Sequence, residues 1–242
     1  MIDGHAHLNE IKDIEAAVSS ARSAGVSAII GVGMDIESNR ATLDIAGSFP
    51  GIVHAAMGYH PWSIIADEIE QNLAFIKEKL PSCVALGEVG IDYKAKVKKK
   101  VQWDVYERLL SLAKEAGKPV IIHCRFSHAR TYEMTVLAGI ERAVFHWFTG
   151  DKEILARILD SGYFISVTPA LAYSPFHREA AAFAPMDRIL VETDAPVEYQ
   201  GRISAPADVI ITLRELARIK GISPREAGRI TESNTRLFYG LE

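Results

Sequence analysis

Cysteine is scarce in this sequence: only Cys83 and Cys124 occur among 242 residues, each inside an apolar run. Two such thiols give no disulfide framework, so we expect buried free cysteines and a reducing, cytoplasmic compartment. No uninterrupted apolar run of about 18 residues occurs, which argues against a membrane span. The first strand-like segment begins at Met1, so no signal peptide is expected.

An excess of positive charge is also missing. The chain has 27 lysines and arginines against 31 aspartates and glutamates, so its formal net charge is −4. Proteins that cover nucleic acid regardless of sequence usually carry a basic domain, and that class is not expected here. A small local basic site stays open, because lysines crowd residues 94–100. That segment is either a solvated loop or a contact for substrate phosphates.

What the sequence does contain is a regular series of short apolar runs. Hydrophobic residues make up 48% and charged residues 24% of the chain, as in ordinary globular proteins. Near-continuous apolar runs are typical of parallel strands that are buried on both faces. The predicted strands are Met1–His7, Val26–Met34, Ile52–His60, Val84–Asp92, Pro119–Cys124, Ala143–Phe148, Tyr163–Thr168 and Ile189–Asp194.

Helical patterns lie between these runs, with apolar residues at spacings of three or four. The stripes are Ile65, Ile69, Leu73, Ile76 and Leu80; Val101, Val105, Leu109, Leu112 and Ala116; and Val209, Leu213 and Leu216. Gly25, Gly117 and Gly162 follow helical patterns, where a C-terminal glycine belongs. Eight strand–helix units in about 250 residues predict an α/β protein, a (β/α)8 TIM barrel that occupies residues 1–242 as a single domain.

An open, doubly wound sheet is the alternative fold. When such a sheet binds a dinucleotide, a glycine-rich turn normally follows its first strand. The turn here reads Gly4-His5-Ala6-His7-Leu8-Asn9, which provides no phosphate cradle. The barrel is therefore the preferred prediction.

Polar residues gather at the carboxyl ends of the predicted strands, where barrel enzymes place their active sites. They are His5, His7, His60, Glu88, Asp92, His123, His146, Glu192 and Asp194. Taken singly, each histidine is more often a hydrogen-bonded core residue than a ligand. Buried imidazoles and carboxylates are costly unless they are paired or metal-bound, so the whole group predicts a metal site.

His5 and His7 are the strongest local signal, because residues i and i+2 of a strand point to the same side. Nitrogen and carboxylate ligands suit Zn, Mn, Fe, Ni or Co and do not select among them. Four imidazoles and two carboxylates exceed the needs of one open catalytic ion. They suit two ions that share a carboxylate, an arrangement that clamps displacement at phosphorus.

Six short motifs in this order resemble those of the TatD-type metal-dependent deoxyribonucleases, within the amidohydrolase-like barrels, over the full length of the chain. The motifs are Asp3-Gly4-His5-Ala6-His7-Leu8, Gly58-Tyr59-His60-Pro61, Gly87-Glu88-Val89-Gly90-Ile91-Asp92-Tyr93, Pro119-Val120-Ile121-Ile122-His123-Cys124-Arg125, His146-Trp147-Phe148-Thr149-Gly150 and Glu192-Thr193-Asp194-Ala195-Pro196. Asn234 with Leu237 and Phe238 resembles the family's last helix.

The resemblance implies two divalent metal ions, with Zn, Mn, Mg, Ni and Co all open. It implies one ion held by His5, His7 and Asp194, a second held by His123 and His146, and Glu88 as the bridge. The implied activity is phosphodiester hydrolysis, typically nuclease action on DNA ends. The expected partner is single-stranded DNA ends or a small phosphodiester, with no membrane.

The expected mechanism assigns roles to several of these residues. Asp194 is the candidate general base, and His60 and Arg125 are candidates to hold the phosphate. Asp3 and Glu192 either orient the ligating histidines or form structural hydrogen bonds.

The sequence also departs from the family pattern. Phe126 stands where the family usually has an acidic residue, and Val197-Glu198 replaces the usual Tyr-Leu. The loop that follows, through Arg202 and Pro206, is shortened. These changes touch substrate-facing loops, so they bear on the substrate more than on the metal chemistry.

Other functions compete with this interpretation. A hydrolase on the same barrel that acts on an amide, lactone or phosphotriester often uses a carbamylated lysine as the bridge. No lysine stands at a suitable strand end, and Glu88 fills that position. Histidinol-phosphatase-like barrels usually need more ligands, and a non-catalytic scaffold is disfavoured by the complete ligand set.

Overall fold

The computed structural model describes residues 1–241 and contains eight parallel strands in one sheet, ordered β1 to β8. The strands are β1 Ile2–Ala6, β2 Ala28–Val32, β3 Val53–Met57, β4 Ala85–Asp92, β5 Val120–Arg125, β6 Ala143–Phe145, β7 Phe164–Val167 and β8 Ile189–Val191. Each predicted apolar run therefore coincides with one strand, although β5 extends one residue beyond the predicted end at Cys124. The (β/α)8 barrel is confirmed.

The barrel closes between β1 and the segment that follows β8. The amide of Asp194 donates to the carbonyl of His5 at 2.9 Å, and the amide of His7 donates to the carbonyl of Ala195 at 2.7 Å. These bonds continue the parallel pattern beyond the end of β8. Two of the polar motifs are thereby brought side by side at the carboxyl end of the barrel.

Helices cover the outside of the sheet. They are α1 Ile14–Ser23, α2 Ile36–Ser48, α3 Ile69–Lys79, α4 Lys99–Ala116, α5 His128–Leu137, α6 Lys152–Asp160, α7 Pro175–Phe183, α8 Val209–Lys220 and α9 Pro224–Tyr239. Asp13, Asp35 and Asp151 accept backbone amides at the starts of α1, α2 and α6, which satisfies donors that a helix start leaves unpaired. Among the described residues, no helix is long and apolar enough to span a bilayer.

One predicted helix stripe begins too early. Ile65 was expected to join it, but α3 starts at Ile69 and Ile65 is 54% exposed. The Tyr59 hydroxyl accepts a hydrogen bond from the Ile65 amide at 2.9 Å, and Ile65 remains extended. A tertiary contact thus overrides the apolar periodicity at this position.

The two ends of the barrel lumen differ. Near the amino ends of the strands the lumen is filled by an apolar cluster that consists of Ile30, Val32, Ala56, Ala85, Ile121, Val144, Phe164, Leu190, Phe238 and Tyr239. Phe238 and Tyr239 come from the last turn of α9, and the Tyr239 hydroxyl donates to the carbonyl of Gly4 at 2.9 Å. This end of the lumen is closed, so a site inside the lumen lies at the other end. A two-stranded ribbon, β9 Glu198–Tyr199 and β10 Arg202–Ile203, follows β8.

Candidate metal centre

All six predicted ligands meet at the carboxyl end of the barrel. They are His5, His7, Glu88, His123, His146 and Asp194, and five of them are buried while His123 is partly exposed. Between residues 1 and 241, the groups of three side chains close enough to share one ion all lie at this end. The strand ends that the sequence predicted to converge do so.

His5, His7 and Asp194 form the first group. The Nε2 atoms of His5 and His7 are 3.3 Å apart, and Asp194 Oδ1 lies 3.5 and 3.4 Å from them. Glu88 Oε2 lies 3.6 Å from His5 Nε2 and 3.5 Å from His7 Nε2. Ligand atoms around a tetrahedral ion with bonds of 2.0–2.2 Å are separated by about 3.3–3.6 Å. His5, His7 and Asp194 therefore fit one cation, with Glu88 Oε2 facing both imidazoles.

The second group surrounds the other oxygen of Glu88. His123 Nδ1 is 2.7 Å from Glu88 Oε1, and His60 Nε2 is 3.5 Å from it. His146 Nε2 lies 3.8 Å from Glu88 Oε1 and 3.6 Å from Asp194 Oδ2. The two oxygens of Glu88 thus face two different sets of histidines.

Outer contacts hold the imidazoles in place. His7 Nδ1 donates to the carbonyl of Val32 at 3.0 Å, which leaves Nε2 free to face the cluster. Glu192 Oε1 lies 2.8 Å from His146 Nδ1 and also accepts the Ser166 hydroxyl at 2.6 Å. Such partners fix the tautomer and orientation of ligating histidines. Asp3 and Glu192 were the two candidates to orient a ligating histidine, and Glu192 contacts the ring of His146.

Asp3, the other candidate, performs a different task. Its carboxylate accepts the amide of Thr193 at 2.8 Å and the Thr193 hydroxyl at 2.6 Å. It contacts the backbone of His5 and no imidazole of the cluster. Asp3 therefore anchors the segment that carries Asp194, and its effect on the site is indirect.

Asp92 was noted at a strand end but was assigned no role. Its Oδ2 atom lies 3.1 Å from His123 Nε2 and accepts the Trp62 indole N–H at 2.6 Å. Burial works against its charge, but contacts with His123 and the amide of Lys94 lower the pKa of Asp92 to about 2. Asp92 consequently fixes His123 from the side opposite Glu88. The polar end of its strand was the only sequence signal.

The two residues expected to hold a phosphate lie at different depths. His60 is buried within the second group, where its Nδ1 accepts the amide of Trp62 at 3.2 Å. Arg125 lies at the exposed rim, and no hydrogen bond or ion pair is formed by its side chain within residues 1–241. The structure therefore brings His60, and not Arg125, into the cluster.

The charges of the cluster are strongly coupled. Burial raises the pKa of Asp194, but His146 and His7 outweigh it and hold that pKa well below the ordinary range. Burial lowers the pKa of His7, yet contacts with Asp194 and Glu88 raise it to about 10. The carboxylates stay ionised beside these imidazoles, and a bound divalent cation would take the place of the imidazole protons as the positive charge. Asp194 Oδ1 is buried without a hydrogen bond, so it offers a free acceptor.

This arrangement of fold and site has known relatives. The profile of the family described as TatD related DNase matches residues 2–240. An uncharacterized metal-dependent hydrolase, YabD of Bacillus subtilis, is 30% identical over 257 residues, which cover 100% of this chain and 99% of that protein. A 3'-5' ssDNA/RNA exonuclease, TatD of Edwardsiella piscicida, is 30% identical and is matched over 95% of this chain and 94% of its own length.

A solved structure agrees with these sequence matches. The crystal structure of YJJV, a TatD homolog from Escherichia coli K12, superposes with a TM-score of 0.91 at 26% identity and covers 100% of this chain and 98% of its own. The chain belongs to the TatD-related DNase family. As a member of it, the chain is classed as a metal-dependent hydrolase.

Proposed function

We propose that this protein is a metal-dependent phosphodiesterase that acts on DNA and uses two divalent cations bridged by Glu88. The observation that carries the proposal is the position of the Glu88 carboxylate, whose two oxygens face separate histidine groups. A shared carboxylate between two ions is the arrangement that supports in-line displacement at phosphorus. The ligands would be His5, His7 and Asp194 on one side and His123 and His146 on the other.

Bound cations would supply Lewis acidity for a phosphoryl oxygen and lower the pKa of water. Asp194 would act as the general base, because its lowered pKa keeps the carboxylate ionised and able to accept a proton. His60 would contact the phosphate from inside the site. Arg125 would meet it only from the rim, where guanidinium suits the oxygens of a phosphodiester.

The substrate class is supported by one named relative and by the rim. The Edwardsiella protein carries the name of a 3'-5' exonuclease for single-stranded DNA and RNA. In this chain, lysines 94, 96, 98, 99 and 100 are exposed on the loop after β4 and at the start of α4. Residues 1–242 would form one hydrolase domain. The two buried free thiols support the predicted reducing, cytoplasmic compartment.

The test is to remove metal with a chelator and restore Mn, Mg, Zn, Co and Ni singly. End-labelled single-stranded DNA is then incubated beside bis(4-nitrophenyl) phosphate, an amide and a lactone. Metal-dependent shortening of the DNA is expected, and the product ladder gives its polarity. Cleavage of the small diester with intact DNA would move the substrate to a small phosphodiester. Cleavage of only the amide or lactone would contradict the proposal.

A further inference from the structure

The rim above β4 and β5 exposes aromatic rings beside cations. Phe126 is 65% exposed and Trp62 is 59% exposed. The ammonium of Lys94 lies 5.3 Å from the centre of the Phe126 ring, and the guanidinium carbon of Arg125 lies 6.0 Å from it. We call Trp62, Lys94, Arg125 and Phe126 the aromatic rim.

Phe126 is held in this position by its backbone. Its φ of 57° lies in the left-handed region that bulky residues avoid. The next residue, Ser127, is buried and donates to the carbonyl of Ile91 at 2.5 Å, which pins the turn to β4. A strained residue thus keeps an apolar ring 65% exposed, with the cations of Lys94 and Arg125 beside it. Strain of this kind clusters at ligand-binding sites.

The aromatic rim connects directly to the cluster. The Trp62 indole donates to Asp92, which contacts His123, and the Trp62 ring lies 5.0 Å from His60. Asp92 pairs in register with Arg125, the residue before Phe126. From the site outward the order is therefore Trp62, then Arg125 and Phe126 with Lys94.

The charge beside the rings is not neutralised. Neither Lys94 nor Arg125 forms an ion pair in the described chain, and no acidic residue occurs from Tyr93 to Trp103 or from Cys124 to Tyr132. Exposed rings that alternate with cations match a nucleic-acid strand, in which bases and phosphates alternate. Duplex ends hide the faces of their bases, so a single strand is the matching ligand.

We propose that the aromatic rim binds the single-stranded nucleic acid next to the phosphodiester in the metal centre, with one base stacked on Phe126 and phosphates on Lys94 and Arg125. This inference rests on the proposed function and assigns Phe126 as a residue that positions a base of its substrate. Trp62 provides the ring nearer to the cluster.

The test compares Phe126→Leu, which removes the ring and keeps the apolar volume, with Phe126→Tyr, which keeps the ring. Fluorescence anisotropy measures binding of a labelled oligothymidylate with phosphorothioate links, which resist cleavage, to the metal-loaded protein. Stacking of one base predicts that Phe126→Leu raises Kd about 10-fold, while Phe126→Tyr stays within about twofold of the parent chain. An abasic oligomer of the same length should show no difference between the variants.

Equal losses on the thymidylate and abasic oligomers, or no loss on either, would overturn the proposal. Binding of an oligouridylate shows whether the rim prefers RNA or DNA. A base-dependent loss of binding with either polymer supports stacking on the aromatic rim. In Lys94→Gln, the slope of log K against log salt should fall by about 0.7, the value for one lost phosphate contact on a single strand. An unchanged slope would remove Lys94 from the site.

Turnover of bis(4-nitrophenyl) phosphate separates this proposal from the proposed function. The small diester spans a single phosphate, and its hydrolysis by the parent chain reports on the proposed function. If the parent chain fails to cleave any phosphodiester, the proposed function fails, while the anisotropy still decides whether Phe126 stacks on a base.

Discussion

The two ends of the barrel lumen are built from opposite kinds of side chain on the same strands. At the amino end, inward residues such as Ile121, Val144 and Leu190 pack around Phe238 from α9. Two residues further along each strand, the inward positions hold His123, His146 and Glu192. Side chains two positions apart in a strand point to the same face, so the apolar and the polar residues both face the lumen. They differ in how far along the barrel axis they lie.

The two ends of the lumen contribute differently to the stability of the fold. The amino end buries apolar area, the Tyr239 hydroxyl in its cluster is satisfied by the carbonyl of Gly4, and each side chain there adds to the free energy of unfolding. The carboxyl end buries carboxylates and imidazoles, which are favourable only when they compensate one another or hold a cation. The first end is expected to affect folding, and the second is expected to affect metal binding and catalysis.

Among the substitutions at the carboxyl end, Glu88→Gln is expected to reduce activity most. The amide keeps the shape but loses the charge that faces both histidine groups, so metal-supported hydrolysis should fall by about 10³-fold or more. Turnover of a phosphodiester at saturating metal measures it. Glu70→Gln is the matched control, because Glu70 is exposed in an ion pair with Arg108 and its loss should leave activity unchanged. Equal activities would place the bridge elsewhere.

Phe238→Ala is the corresponding change at the amino end. Phe238 is fully buried, 5.5 Å from the Phe164 ring, and its loss should lower the free energy of unfolding by about 3–5 kcal/mol. Urea unfolding measures this, and turnover per folded molecule should stay the same. Leu237→Ala, at a neighbouring position that is 69% exposed, should cost about 0.5 kcal/mol or less. A loss of turnover in Phe238→Ala would show that the two ends are coupled.

His177 is a buried histidine outside the metal centre, so its effect on stability can be compared with that of the histidines inside the centre. Its Nδ1 donates to the carbonyl of Phe148 at 2.8 Å and its Nε2 accepts the amide of Thr168 at 2.9 Å. Burial lowers the pKa of His177 to about 4 from its ordinary value of 6.5. The unfolded chain therefore binds the proton first, and stability that is complete above pH 6.5 is lost as the pH falls toward 4.

His177 should contribute about 1.4 kcal/mol per pH unit to that loss. Urea unfolding at pH 7, 5.5 and 4.5 measures the slope. In His177→Gln the amide can still donate and accept, so the chain should be less stable at pH 7 but its slope should be shallower. A parallel slope in the variant would show that His177 does not titrate on unfolding.

Glu192→Gln and Asp3→Asn separate two buried carboxylates that lie close to the same cluster. Glu192 contacts the ring of His146, so its loss should weaken metal affinity by about 10- to 100-fold. Asp3 holds Thr193, so its loss should mainly lower stability. Metal titration and thermal unfolding of both variants check the pair. Equal effects on metal affinity would make Asp3 part of the centre.

Much of this comparison is predictable from the sequence because it follows from residue type and period. Eight near-continuous apolar runs gave the strands, and polar residues at their ends gave the cluster. The predicted beginning of α3 was wrong, because the Tyr59 hydroxyl holds Ile65 in an extended conformation. Tyr59 lies outside the apolar stripe of this helix, so the spacing of the apolar residues does not reveal its contact with Ile65.

Other features carry no residue signature at all. The carbonyl of Val32 fixes His7, but any residue could supply that carbonyl. Asp92 was visible at a strand end, yet its contact with His123 depends on the register of β4 and β5. Phe126 was marked as a departure from the family pattern, whereas its positive φ and its exposure required the structure.

The proposed function requires Glu88 to lie between two cations at the carboxyl end of the barrel. Crystals grown with Mn²⁺ and measured for anomalous scattering test it most directly. Two anomalous peaks per chain are expected, one beside His5 and His7 and one beside His123 and His146, with Glu88 between them. A single peak, or peaks away from Glu88, would contradict it.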